Sequence, residues 1–275
     1  MRIAIDTMGG DFGPRATLRG TASALLRDSQ LSAILVGPQH LLDAELDSLP
    51  ASLSRVRDRL QTLAVDGIVA SDARPSRVLR SREPSSMSQA LGLVAKGQAD
   101  ACVSAGNTGA LMALGMREVG RVKGVERPAI CAAVPTRGAR ACSLLDLGAN
   151  VDVAPHHLLA FARMGAMRSR LIDAVERPRV GLLNVGVESV KGTAQVQEAH
   201  ALLAGSESDF DYLGFVEGGD LFSGKVDVVV CDGFVGNVVL KSSEGLAQML
   251  SAQLGATLAA SWRTRLMAWL ARPAL

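Results

Sequence analysis

Five short stretches of this 275-residue sequence combine glycine with Asp, Asn, Ser, Thr or Lys, the side chains that hold anions and steer protons. They are Asp6-Thr7-Met8-Gly9-Gly10-Asp11, Ser104-Ala105-Gly106-Asn107-Thr108-Gly109-Ala110, Asp146-Leu147-Gly148-Ala149-Asn150, Asn184-Val185-Gly186-Val187-Glu188 with Lys191-Gly192, and Asp232-Gly233-Phe234-Val235-Gly236-Asn237. Glycine lets backbone approach an anion closely. A helix that follows leaves its first N–H groups without internal partners, at the positive end of its dipole. Such a turn suits a phosphate or a developing oxyanion. Each stretch alone also reads as an ordinary turn with an Asx cap. Five of one kind point to a polar, glycine-lined cavity for a phosphate or carbonyl oxygen. Only five of the 29 basic residues are Lys (Lys96, Lys123, Lys191, Lys225 and Lys241), so a lysine beside a glycine-rich loop carries more weight as a site candidate.

These loops need elements to position them. Strand-like apolar runs occupy residues 2–6, 31–36, 99–104, 129–134, 141–147, 179–185, 210–216 and 226–231, and read as strands covered on both faces. Helix-like segments fall near 15–28, 87–96, 108–120, 156–170, 193–204 and 235–258. The alternation predicts an α/β fold with a mostly parallel sheet and helices on both sides. All five loops would then collect at the carboxyl ends of the strands of one sheet, where such folds bind ligands. Ser85-Ser86-Met87-Ser88 reads as the cap of the helix from Met87, and residues 50–86 are otherwise the least patterned part. With no linker visible, residues 1–240 read as one α/β domain and 241–275 as a C-terminal amphipathic helical segment.

Composition excludes several functions. Net charge is +2 and aromatic residues are 3%, so neither electrostatics nor stacking supports nucleic-acid binding. The four cysteines form no C-x-x-C pair and no ligand pattern with the four histidines, which reads as buried thiols in a reducing cytosol with no metal. There is no G-x-G dinucleotide fingerprint, no Walker lysine loop and no G-x-S-x-G elbow. Chemistry by positioning and electrostatics remains. The N-terminus opens on a strand with no signal region, and no apolar run reaches the roughly 18 residues that span a bilayer.

Near the C-terminus Leu246, Leu250, Leu254, Leu258, Trp262 and Leu266 recur every four residues. At ~3.6 residues per turn that line drifts roughly 40° per step, so a break or a second helix is expected. Trp262, Leu266, Met267, Trp269 and Leu270 alternate with Arg263, Arg265 and Arg272. The pattern suits either an interfacial contact with anionic membrane or a dimerisation or core helix with snorkelling arginines.

In order along the chain, Asp6-x-Met8-Gly9-Gly10-Asp11, Ser85-Ser86-Met87, Ser104 through Ala110, Asp146-x-Gly-Ala-Asn-Val151, Gly181-Leu-Leu-Asn-Val-Gly186, Lys191-Gly192 and Asp232-Gly-Phe-x-Gly-Asn237 resemble the bacterial phosphate acyltransferases of phospholipid synthesis, the PlsX family. The resemblance implies transfer of a fatty acyl group from acyl-[acyl-carrier protein] to inorganic phosphate without a cofactor. It implies a doubly wound α/β/α sandwich similar to isopropylmalate dehydrogenases and phosphotransacetylases, with a C-terminal helical hairpin. It further implies a cytoplasmic homodimer that touches membrane through Trp262, Leu266, Trp269 and Leu270, and a product consumed by a membrane glycerol-3-phosphate acyltransferase. Family members usually continue several dozen residues further, so the sequence reads as C-terminally truncated.

On this reading Gly106, Thr108, Gly109, Asn150, Asn184, Gly233 and Asn237 bind phosphate, and Asn107, Asn150 and Asn237 orient it. A phosphate oxygen attacks the thioester carbonyl, and Lys191 or a backbone N–H stabilises the oxyanion. Lys191 alternatively holds phosphate or protonates the departing thiolate. Asp6 and Asp232 orient these groups or cap turns, with Gly9 and Gly10 in support. A CoA-dependent phosphotransacetylase and an inactive membrane-recruited scaffold are the competing readings.

Overall fold

The computed structural model describes residues 1–261 and Arg265. It divides into two compact units, Met1–Pro128 and Ala129–Leu275. That division falls inside the 1–240 stretch that the sequence reads as one domain.

The first unit comprises β1 (Arg2–Asp6), α1 (Gly13–Arg27), β2 (Ser32–Gly37), α2 (Gln39–Asp47), α3 (Ala51–Ser54), β3 (Leu60–Ala64), α4 (Pro75–Arg80), α5 (Ser86–Ala95), β4 (Ala101–Ser104) and α6 (Thr108–Glu118). Its four strands are all parallel, in the order β3-β2-β1-β4. Alternate strand residues face opposite sides. Ile5, Ala33 and Leu35 pack with Leu18, Ala22 and Leu25 of α1 and Leu42 and Leu46 of α2. Ala4, Ile34 and Val36 pack with Ala90 of α5 on the other face. The chain winds outward from β1 to β2 and β3, then returns to place β4 on the far side of β1. Asp6 and Ser104, partners in register, therefore end the two strands at the topological switch point.

The second unit comprises β5 (Cys131–Val134), β6 (Cys142–Leu145), α7 (Pro155–Ile172), β7 (Arg179–Leu183), α8 (Ala194–Ala204), β8 (Asp211–Val216), β9 (Val228–Val230) and α9 (Gly233–Ala259). The sheet order is β5-β6-β9-β7-β8, with β5 antiparallel to β6 and the other neighbours parallel. Leu145, Val180, Leu182, Val228 and Val230 pack against Phe161 and Ala162 of α7 and Leu203 of α8. Leu144, Val229 and Cys231 pack on the opposite face with Leu221, Val239 and Leu240. Arg179 at the start of β7 holds Asp227 before β9 in a two-pronged ion pair, Nε to Oδ2 at 2.9 Å and Nη2 to Oδ1 at 3.0 Å. Burial raises the Asp227 carboxyl pKa, but the hydrogen bonds and charge of Arg179 outweigh it and leave the group below its ordinary value.

One expectation changes. The five loops do not belong to one sheet, because two follow strands of the first unit and three follow adjacent strands of the second. α9 covers the helix expected near 235–258 and ends at Ala259, just after the Leu246–Leu258 repeat. Leu246, Met249, Leu250 and Leu254 form an exposed apolar stripe along it. Trp262, Leu266, Trp269 and Leu270 lie outside the described residues, and with them most of the expected hairpin. No helix among the described residues is long and apolar enough to cross a membrane.

Candidate functional site

In the first unit the site is built on a buried carboxylate. Asp6 is 2% exposed and accepts the hydroxyls of Ser86 and Ser104, each at 2.6 Å. Ser104 Oγ in turn accepts the N–H of Gly106 at 3.1 Å, so the carboxylate fixes the loop after β4 through one hydroxyl. Gly9 lies against that loop so closely that a Cβ would sit 2.5 Å from Gly106 N. Gly10 follows with φ +87°. Ser85 and Ser88 form a reciprocal cap on α5, as the sequence suggests, while Ser86 reaches Asp6 instead.

Asn107 caps α6, its Oδ1 accepting the Ala110 N–H at 2.8 Å. Its Nδ2 donates to the carbonyls of Ser71 (2.7 Å) and Ala73 (3.2 Å). Both ends of this amide are therefore committed to protein, and Asn107 positions the turn. The N–H groups of Thr108 and Gly109 open the helix and have no intrahelical carbonyl to meet. Two such groups at the positive end of a helix can hold an anion.

In the second unit Asp146 is fully buried at the end of β6. One oxygen accepts the N–H groups of Ile130 (2.9 Å) and Ala149 (3.1 Å), and the other accepts the Asn150 N–H (2.6 Å) and Nδ2 (2.8 Å). Four donors thus hold one carboxylate and close the loop that follows. That loop interlocks with the start of α9, where Gly233 N–H donates to the Asn150 carbonyl at 2.8 Å. A Cβ on Gly236 would come 1.8 Å from the Asp146 carbonyl oxygen. Asn237 is exposed and its side chain lies beside Gly148. Asp232 caps α9 by accepting the Val235 N–H at 2.9 Å. With Gly233 and Val235 both engaged and a carboxylate at its cap, α9 is a poorer anion seat than α6.

β7 lies beside β9 and is followed directly by Asn184, whose Nδ2 donates to the carbonyls of Gly186 and Lys191, each at 3.1 Å. That amide braces the 185–192 loop. Lys191 Nζ pairs with Glu188 at 2.7 Å, both side chains about half exposed. The hydrogen bond from Lys191 lowers the Glu188 pKa. An exposed pair of this kind is weak, so Lys191 can exchange its partner at little cost.

Thiol nucleophiles are disfavoured. Burial, and secondarily the charge of Asp6, pushes the Cys102 thiol up to about 11. Burial raises Cys231 too, reinforced by Asp232 and Asp146. Neither supplies thiolate near neutral pH. Asp146 and Ser86 lie within the sequence motifs, and nothing in their local pattern marks them as the groups that brace these loops. A carboxylate held only by neutral donors leaves no charge pairing for sequence reading to find.

Over residues 1–275 the sequence matches the model of a family described as fatty acid synthesis protein. A phosphate acyltransferase of Pseudomonas putida KT2440 is 50% identical over 252 residues, covering 92% of this chain and 73% of that protein. The phosphate acyltransferase of Shewanella woodyi is 45% identical over 273 residues, 99% of this chain and 79% of that one. Among solved structures, a phosphotransacetylase from Streptococcus pyogenes matches with TM-score 0.66 at 17% identity, over 90% of this chain and 82% of that chain. The EutD phosphotransacetylase from Staphylococcus aureus gives 0.61 at 16%, with the same coverage. Identity this low speaks for a shared fold alone.

Proposed function

The chain belongs to the fatty acid synthesis protein family, and on that premise we propose that it transfers a fatty acyl group from a thioester to inorganic phosphate, making acyl-phosphate for phospholipid synthesis. The observation that carries the reading is the open N–H pair at Thr108 and Gly109 on a loop that Asp6, Ser104 and Asn107 hold rigid. It offers dianionic phosphate a preorganised seat. A phosphate oxygen attacks the thioester carbonyl, forming the C–O bond. The C–S bond then breaks, and its electron pair leaves on sulfur, which takes up a proton. Lys191 supplies positive charge to the carbonyl oxygen or the proton to the thiolate. Asn107 shapes the loop of the first unit, and Asn150, Asn184 and Gly233 shape those of the second, where Asp232 caps α9 and Asn237 stays exposed beside Gly148.

We assign the donor as acyl-[acyl-carrier protein] and the chain as a homodimer that contacts anionic membrane, passing its product to a glycerol-3-phosphate acyltransferase there. The exposed stripe of Leu246, Met249, Leu250 and Leu254 supports self-association or surface contact. The test is acyl-phosphate formation from long-chain acyl-carrier protein and phosphate, with acyl-CoA run in parallel. Turnover with the carrier thioester and little with CoA is expected. Turnover confined to CoA thioesters would make it a phosphotransacetylase. Liposome binding by a folded dimer with no turnover would make it a scaffold.

A further inference from the structure

Arg74, Arg77, Arg80 and Arg82 fall within nine residues that contain no Asp or Glu, and all four are exposed. Among the described residues none of them enters an ion pair, although Arg117, Arg168, Arg170, Arg177 and Arg179 all do. An unpaired arginine cluster is unfavourable for folding through its self-repulsion, which makes an external anionic partner the natural complement.

The segment that carries them is rigidly mounted. Val78 of α4 packs with Leu114 of α6 in one apolar cluster. Asn107 ties the entry to α4 through the Ser71 and Ala73 carbonyls. Arg117 Nη1 ties its exit, donating to the carbonyls of Leu79 (3.3 Å) and Ser81 (3.0 Å). Between these struts Arg74 and Arg77 border an open hollow of about 630 Å³, whose rim also carries Asp72 and Glu83, neither of them paired with an arginine of the cluster. Pro75, adjacent to Arg74, packs directly against Gly109 in the first turn of α6. The arginine face therefore begins at the edge of the anion seat.

Resting on the reading that the acyl donor is carried by a protein, we propose that the Arg74–Arg82 face docks that carrier by a carboxylate-rich surface. A phosphate seat needs one or two cations at close range. Four solvated guanidinium groups spread along a helix and its exit suit the spaced carboxylates of an acidic protein instead. Such a rim steers encounter and sets orientation more than it adds affinity. Docking there delivers the thioester beside Thr108 and Gly109.

The test is the dissociation constant of a fluorescently labelled bacterial acyl-carrier protein, measured by anisotropy at low and high salt. It uses wild type, Arg77→Glu/Arg80→Glu and Arg77→Lys/Arg80→Lys, with folding of each checked by circular dichroism. The expected result is about tenfold weaker binding and a shallower salt dependence for the Glu variant. The Lys variant should bind within about threefold of wild type, because point charge is what the surface supplies. Equal binding by wild type and the Glu variant overturns the docking face. So does failure of the carrier to bind wild type, or its displacement by millimolar inorganic phosphate, which would put the arginines on the acceptor. The donor assignment fails separately, by turnover of wild type with acyl-CoA rather than acyl-carrier protein.

Discussion

Replacing Asp6 with Asn tests whether one buried carboxylate sets the geometry of the anion seat. Asp6 accepts two hydroxyls at 2.6 Å. A hydrogen bond to a charged group contributes about 1.5–3 kcal/mol. Asn keeps one oxygen for one hydroxyl but turns an N–H2 toward the other. If that is Ser104, whose oxygen already accepts the Gly106 N–H, the hydroxyl proton loses its acceptor and the bond to Gly106 weakens. The loss is about one charged hydrogen bond, equivalent to roughly 10- to 100-fold faster local opening. Amide hydrogen exchange at Gly106, read by NMR, should accelerate by that factor, with the KM for phosphate rising in parallel. Ser104→Ala should give a similar change, and Asp6→Asn added to it should contribute much less than it does alone. Unchanged exchange at Gly106 in a folded Asp6→Asn variant would refute the claim that this carboxylate organises the seat.

Lys191→Met should lower kcat by about 100- to 1,000-fold, as for a lost oxyanion donor, while Glu188→Gln should change it by less than about fivefold; equal losses would mean the pair, not the lysine, matters. Gly236→Ala places a Cβ 1.8 Å from the Asp146 carbonyl oxygen and should destabilise the protein by about 3 kcal/mol or more in urea unfolding. Gly245→Ala, with open space in the same helix, should stabilise it by about 0.5–1 kcal/mol, so similar effects would contradict the close-approach argument. Asp227 has a lowered pKa, so its stabilising effect is present above the unfolded value near ~4 and fades as pH falls through the folded one. The stability gap between wild type and Asp227→Asn should therefore shrink below about pH 4, and a gap constant to pH 2 would contradict the pairing with Arg179.

β9 was legible in the 226–231 run because burial on both faces leaves an apolar stretch that little else explains. β3 was not, since Leu60 alone of its five residues is fully buried and the edge position tolerates Gln61 and Thr62. α3 and α4, of four and six residues, are too short to show a period. The loop chemistry was visible, but not its allocation. Nothing local to Asn107 or Asn184 says whether an amide meets a ligand or a carbonyl, because that depends on Ser71, Ala73 and the carbonyls of the 185–192 loop. Nor does the alternation of strands and helices reveal where one sheet ends and another begins.

The sheet order of the second unit also dictates a sequence of events during synthesis. Among the described strands of this unit β9, at Val228–Val230, comes last in the sequence, yet it lies between β6 (Cys142–Leu145) and β7 (Arg179–Leu183). Until it leaves the ribosome, β6 and β7 have no shared partner, and the apolar faces of α7 and α8 lack the strand that joins them. The first unit has all four of its strands by Ser104 and its own helices by Glu118. It can fold while the second is still being translated. The nascent second unit is the segment exposed to aggregation and to chaperones, and a pause in translation before residue 228 prolongs that exposure.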